Sequence, residues 1–131
     1  MLSSLDISAS GMSVLQAKMN VVSNNLANME TVTEGVPYRR RHLLVQPGNA
    51  QTGSSFGAMV KDIVEDTKTP MRPRYEPNHP YADEKGYVYY PNVNPMVEMT
   101  DAMTTIRGYQ YNATAFDAAK IMAQSALRLL A

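Results

Sequence analysis

The chain has 131 residues with 12 basic and 12 acidic side chains, enough for one domain or one small subunit of zero net charge. That balance argues against a nucleic-acid binder, whose electrostatic footprint is basic. The absence of cysteine excludes disulfides, thiolate metal sites and cysteine nucleophiles.

Proline and methionine are distributed unevenly. All 8 prolines lie between residues 37 and 95. The flanking stretches 1–36 and 96–131 have none and hold eight of the 10 methionines. No apolar run approaches the roughly 18–20 residues of a membrane span. The first residues lack a basic n-region, and Asp6 falls where an apolar h-region would form, so no cleaved signal peptide is expected.

The N-terminal arm, 1–36, carries a heptad pattern. Leu5, Met12, Met19 and Leu26 recur every seven residues, and Leu15, Val22 and Met29 follow three residues later, with Ser8 the polar exception. That is the seam of a helix that packs on other helices. Ser3 or Ser4 offers a capping hydroxyl. Gly11 costs the helix roughly 1 kcal/mol against alanine. The helix is expected to fray near Asn28, with Gly35 and Pro37 as its limit. Asn24, Asn25 and Asn28 cluster there. Because asparagine amides compete for the backbone, they mark a helix end or a recognition segment.

The middle, 37–95, reads as loop and short strand. Strand formers occur in Tyr38–Gln46, after Arg39-Arg40-Arg41, and again in Met59–Val64 and Gly86–Tyr90. Turn signals separate them: Pro47-Gly48-Asn49, Gly53-Ser54-Ser55 and the run Tyr75–Pro80. One or two small β-hairpins are expected, too marginal to stand alone and therefore carried on the helices. The arginine run reads as a solvated strand edge or as a partner in an intersubunit salt bridge.

The C-terminal arm, 96–131, begins after Pro95, a residue suited to a helix start. Met99, Ile106, Ala113 and Leu127 form one heptad series, interrupted by Lys120. Ala102, Tyr109, Phe116, Ala123 and Leu130 form its companion, and Met103 and Met122 widen the stripe. If fully helical, each arm is about 45–50 Å long. The two arms can form a hairpin within one chain. Two single stripes buried against each other nevertheless leave much apolar surface wet, which points to neighbouring chains. Methionine suits such contacts because its unbranched side chain repacks easily.

No catalytic constellation emerges. His79 near Asp83 and Glu84 lacks a second histidine at ligand spacing and reads as a turn histidine. Asp62, Glu65 and Asp66 are surface acids at a commonplace spacing. No nucleophile elbow, phosphate loop or dinucleotide fingerprint is present, so neither a cofactor nor an enzyme activity is expected.

The stretch Ser23-Asn24-Asn25-Leu26-Ala27-Asn28-Met29-Glu30-Thr31, following an apolar heptad helix, resembles the S-x-N-L/I-A-N-x-x-T hallmark of the flagellar rod and hook axial proteins. Other matching pieces are Leu5–Met12, Pro37–Arg41, Glu98-Met99 and Arg107–Asn112. The block from His79-Pro80 through Ala82-Asp83 to Gly86-Tyr87-Val88, together with Pro91-Asn92-Val93-Asn94, makes the chain similar to the short proximal rod members. It departs from the pattern at Gly108 and Tyr111, where Ser or Ala is expected.

The resemblance implies a mainly α fold. Two long terminal helices would pack as a coiled coil within an assembly, beside a small irregular lobe containing β-hairpins. It implies a structural subunit of the basal-body rod that binds itself and other rod subunits in a helical array and transmits motor torque through the periplasm. It further implies passage through the flagellar type III export apparatus without a cleaved signal, with arms that order on assembly. Leu5, Met12, Leu15, Met19, Val22, Leu26, Met99, Ile106, Tyr109, Ala113, Phe116, Leu127 and Leu130 are then the expected subunit interface. Asn24, Asn25, Asn28, Thr31, His79, Pro80, Gly86, Tyr87, Pro91 and Asn92 are the motif residues. The competing reading is a small helical adaptor or export chaperone using the same seams.

Overall fold

A computed structural model of the chain describes residues 2–34, 37–48 and 57–130. Gly35, Asn49 and the Gly53-Ser54-Ser55 turn signal lie outside the described residues. Helix α1 spans Leu2–Ala27 and α2 spans Pro95–Leu130. At 1.5 Å per residue they are about 39 and 54 Å long. Ser3 and Ser4 both lie inside α1, so neither is its cap. Asn94 caps α2. Its side chain accepts the Met96 N–H at 3.0 Å and its carbonyl accepts the Glu98 N–H, with Pro95 in the first helical position.

The two helices pack antiparallel. Asn25 meets Glu98, Leu15 lies against Gly108, and Gly11 lies against Asn112. Fourteen residues separate Asn25 from Gly11 and Glu98 from Asn112, so both helices keep a two-heptad register across the contact. The two glycines permit the close approach. A Cβ on Gly11 would sit 3.0 Å from the Asn112 side chain, and one on Gly108 would sit 3.3 Å from Leu15. Gly108, a departure from the family pattern, is thus the space that Leu15 fills. Tyr111, the other departure, points to solvent. Neither helix is long and apolar enough, among the described residues, to cross a membrane.

The middle folds as two antiparallel hairpins. Strand β1 (Arg41–Pro47) pairs with β2 (Ala58–Glu65), with a bulge between Leu44 and Val45. This finger lies along α1. Ser10 Oγ accepts the Ala58 N–H at 3.2 Å, and Gly57, at φ 103°, fits against Ser10 and Ile7. Ile7, Ser10, Val14 and Val21 share a helical stripe, and Val14 and Val21 are buried. Helix α1 therefore has two packed faces, one on α2 and one on the finger.

Strand β3 (Arg72–Tyr75) pairs with β4 (Tyr87–Tyr90). The sequence gives no strand signal for β3, because Pro73 and two arginines interrupt it. The strand is tolerated because both members of a two-stranded sheet are edges. The alternation of β4 puts Val88 and Tyr90 inside, where they join Pro91, Asn92 and Val93 as the best-buried part of the lobe.

The turn before β4 explains the Asp83–Val88 block. The Asp83 carboxylate accepts the N–H groups of Lys85 and Tyr87, and the Gly86 N–H donates to the Asp83 carbonyl. Gly86 has φ 84°, and a Cβ there would lie 2.9 Å from the Tyr75 ring. Gly86→Ala is expected to destabilise the lobe by about 1–2 kcal/mol through a left-handed alanine and this contact. Near-ultraviolet circular dichroism of the tyrosines along a urea series reads the loss directly, since the chain has no Trp.

Candidate subunit interface and the polar junction beneath it

Both arms and the lobe meet at one polar junction. Asn25, buried near the end of α1, uses its whole amide. Its Nδ2 donates to the Arg41 carbonyl at 2.8 Å and to Glu98 Oε2 at 3.1 Å. Its Oδ1 accepts the Arg41 N–H at 2.9 Å and the Tyr38 hydroxyl at 2.8 Å. Glu98 is fully buried, and its other oxygen accepts Arg40 Nε at 2.5 Å. Arg40 also reaches Asp101 at 3.3 Å. Burial raises the Tyr38 phenol pKa, the Arg41 charge opposes that rise, and the Glu98 and Glu65 charges add to it.

Asn92 ties in the lobe. Its Oδ1 accepts the Arg40 N–H at 2.7 Å, and its Nδ2 donates to the carbonyls of Asp66 and Thr69, each at 3.0 Å. Arg72 clamps the exit of α1 to the approach to α2 by donating to the carbonyls of Met29 and Pro91. Every buried side-chain nitrogen and oxygen among the described residues has a hydrogen-bond partner. That is the condition under which a buried polar network specifies one arrangement.

The motif residues thus separate by role. Asn25, Asn92 and buried Pro91 belong to the junction. Asn28 and Thr31 form the local turn that ends α1: Asn28 Nδ2 donates to the Asn24 carbonyl, and the Thr31 hydroxyl donates to Asn28 Oδ1. Asn24 is exposed. His79, followed by exposed Pro80, accepts the Tyr81 N–H on Nδ1 and is a turn histidine. Gly86 shapes the turn before β4, and Tyr87 faces solvent.

The arginine run has partners within the chain. Arg40 pairs with Glu98 and Asp101, Arg41 pairs with Glu65, and Arg39 donates to the Asp66 carbonyl, all within the chain. The three acids of the middle have structural partners as well. Glu65 binds Arg41, and Asp62 accepts the Ile63 N–H. Asp66 accepts the Thr69 hydroxyl and the N–H groups of Thr69 and Lys68, which, with the Arg40 charge and against a smaller effect of burial, lower its pKa from 3.8 to about 2.

A depressed folded-state pKa makes the ionised Asp66 a stabilising group above its unfolded value. That contribution is expected to disappear as pH falls from about 4 through about 2. Urea midpoints measured across this window should fall less steeply for Asp66→Asn than for the unchanged chain. Among the described residues, no three His, Asp or Glu side chains converge as a metal site.

The expected interface residues lie on both sides of the packed seam. Val22 is buried, whereas Leu5, Met12, Leu15, Met19 and Leu26 are half-buried. On α2, Ala113 and Phe116 are half-buried. Met99 (51 % exposed), Ile106 (48 %), Tyr109 (44 %), Leu127 (66 %) and Leu130 (86 %) are open.

The residues of α2 that do pack inward form the heptad series one position earlier. Glu98, Thr105 and Ala119 are buried, and Asn112 is half-buried against Gly11. Helix α2 therefore turns its smaller, more polar series inward and its more apolar series outward. Leu15 and Met19 of α1 and Ile106 and Tyr109 of α2 still come together, lining a groove of about 220 Å³ between the helices.

Sequence reasoning missed Glu98 and Arg40 as partners and Val14 and Val21 as core. The available signals were the seven-residue spacing of Glu98, Thr105, Asn112 and Ala119, and of Val14 and Val21.

Two family models match the chain over the same helices. One described as "Flagella basal body rod protein" matches residues 5–33, and one described as "Flagellar basal body rod FlgEFG protein C-terminal" matches residues 84–129. The chain is 36% identical over 131 residues to the flagellar basal-body rod protein FlgC of Escherichia coli O6:H1, covering 98% of this chain and 97% of that protein. It is 38% identical over 144 residues to the FlgC of Bacillus subtilis strain 168, covering 96% and 95%. It is 39% identical over 118 residues to the FlgC of Aquifex aeolicus, covering 88% and 87%. Identity at this level, along nearly the full length of both proteins and through both arms and the lobe, shows that the chain belongs to the FlgC family of flagellar basal-body rod proteins.

Proposed function

We propose that this chain polymerises into the axial tube of the basal-body rod and carries motor torque through the periplasm, with its helices toward the tube and its lobe making lateral contacts. Family membership makes the role structural and rod-forming, in company with other rod subunits, and sets aside the enzyme and export-chaperone readings. The observation that carries the proposal is the outward series of α2. A helix about 54 Å long leaves Met99, Ile106, Leu127 and Leu130 exposed after the chain has packed its own seam. Exposed apolar positions at both ends of the helix, interrupted only at Ala113 and Lys120 of the series, are a surface for neighbours.

The subunit is taken to reach the periplasm through the flagellar type III export apparatus without a cleaved signal, as an unfolded chain. The absence of cysteine, and so of disulfides, suits that route. The arms then gain order on assembly, where intersubunit burial offsets the ordering entropy. The division into arms at 1–36 and 96–131 and a lobe at 37–95 is part of this proposal.

Co-purification with basal bodies tests it. The chain is expected in purified basal bodies, and the isolated subunit is expected to show less helix by circular dichroism than α1 and α2 together supply. Absence from basal bodies, or a fully helical compact monomer that never assembles, would contradict the proposal.

A further inference from the structure

The sulfur of this chain is unevenly placed. With no cysteine, methionine thioether is its only form. Among the described residues, the methionines of α1, its exit and the middle are all half-buried, whereas the four on α2 are exposed. Met96, Met99 and Met103 follow at spacings of three and four, so they share one outward stripe that Ile106 continues. Three of the four exposed thioethers therefore lie on the face that the chain's own packing turns outward.

We infer that Met99 makes incorporation of the subunit sensitive to oxidation: a sulfoxide formed there before assembly bars the subunit from the rod, and assembly then shields the same sulfur. This rests on the rod reading above, in which assembly covers the stripe, and it holds for whichever surface does the covering. The oxidant is hydrogen peroxide. The thioether sulfur attacks one peroxide oxygen, so an S–O bond forms as the O–O bond breaks and sulfur is oxidised by two electrons. The proton on the transferred oxygen passes to the departing hydroxide, which leaves as water.

The product turns a flexible apolar side chain into a polar one with an acceptor oxygen. On the free subunit, water satisfies that oxygen. Beneath a neighbour it needs a donor, and an acceptor buried without one is costly. The stripe supplies none at Met99. The nearby hydroxyls of Thr100 and Thr104 already donate to the Met96 and Thr100 carbonyls, each at 2.9 Å. Met103 differs, because exposed Arg107 stands one turn further on and is a donor within reach. Met99 is thus the decisive position. Sulfoxide reductases restore the thioether, so the bar is reversible.

Recovery of the chain in basal bodies, built with and without dilute hydrogen peroxide, tests the inference, each chain being compared with its own peroxide-free level. The unmodified chain and Met103→Leu should each fall at least about tenfold, and Met99→Leu should lose most of that fall. A fall as large for Met99→Leu, or protection by Met103→Leu instead, overturns it. A second measurement needs no variant. In peroxide-treated cells, mass spectrometry should find the sulfoxide fraction at Met99 at least about tenfold lower in basal bodies than in unassembled chain. Equal fractions in the two pools also overturn the inference. Unmodified chain absent from basal bodies without peroxide would instead defeat the rod reading beneath it.

Discussion

Asn25→Ala is expected to remove about 3 kcal/mol from the folded subunit. Asn25 makes four hydrogen bonds at once, to Arg41 N–H, the Arg41 carbonyl, the Tyr38 hydroxyl and Glu98. Alanine leaves those groups unpaired at a site only 1% exposed, and each orphaned buried group costs about 1–3 kcal/mol before water or relaxation recovers part of it. Helix content followed along a series from sucrose to urea measures the loss, because it brackets the transition even for a weakly folded subunit.

Asn25→Asp separates the chemistry from the packing. It keeps the shape but sets a second carboxylate at the Glu98 oxygen now 3.1 Å away. Like charges at this distance raise the new carboxyl's folded pKa above its unfolded value near about 3.9. The deficit should therefore be greatest at neutral pH and shrink as pH falls toward about 4, where a protonated carboxyl again donates to Glu98. A deficit independent of pH would mean that the junction is held by shape alone.

Ile106→Asp is expected to cost the isolated subunit little and to abolish its assembly. The side chain is 48 % exposed on the wall of the interhelical groove, so the change should cost the monomer only about 1 kcal/mol. Buried beneath a neighbour, an uncompensated carboxylate costs several kcal/mol unless it neutralises, and about 3 kcal/mol is already more than a hundredfold in incorporation. Met19→Asp, on the α1 wall of the same groove, should act in the same direction with a larger effect on the monomer because Met19 is half-buried. Motile cells bearing Ile106→Asp would move the subunit contact to another face.

The long elements were legible because their signals are local. Proline confinement and two heptad patterns place both helices, and Pro95 marks the start of α2. Tyr87–Tyr90 reads as a strand from its residue types alone, whereas β3 does not, since its pairing is supplied by β4 and not by its own composition.

The face of α2 was harder. Two heptad series stand one residue apart, and hydrophobicity favours Met99 and Ile106. Packing within the chain instead selects Glu98, Thr105 and Ala119, because small side chains and Gly11 and Gly108 let the helices close while Glu98 finds Arg40 and Asn25. The junction itself is spread over residues 25, 40, 92 and 98, and no spacing rule connects positions so far apart in sequence.

Methionine reactivity shows, without altering the chain, whether a neighbouring subunit covers α2. Met96, Met99 and Met103 are 71 %, 51 % and 64 % exposed in the subunit and should be oxidised readily by dilute hydrogen peroxide, as read by peptide mass spectrometry. In purified basal bodies Met99 and Met103 should react at least about tenfold more slowly than in the isolated subunit, because a neighbouring subunit covers the outward stripe of α2. Equal rates in the two states would contradict this, and the apolar face of α2 would not be where rod subunits meet.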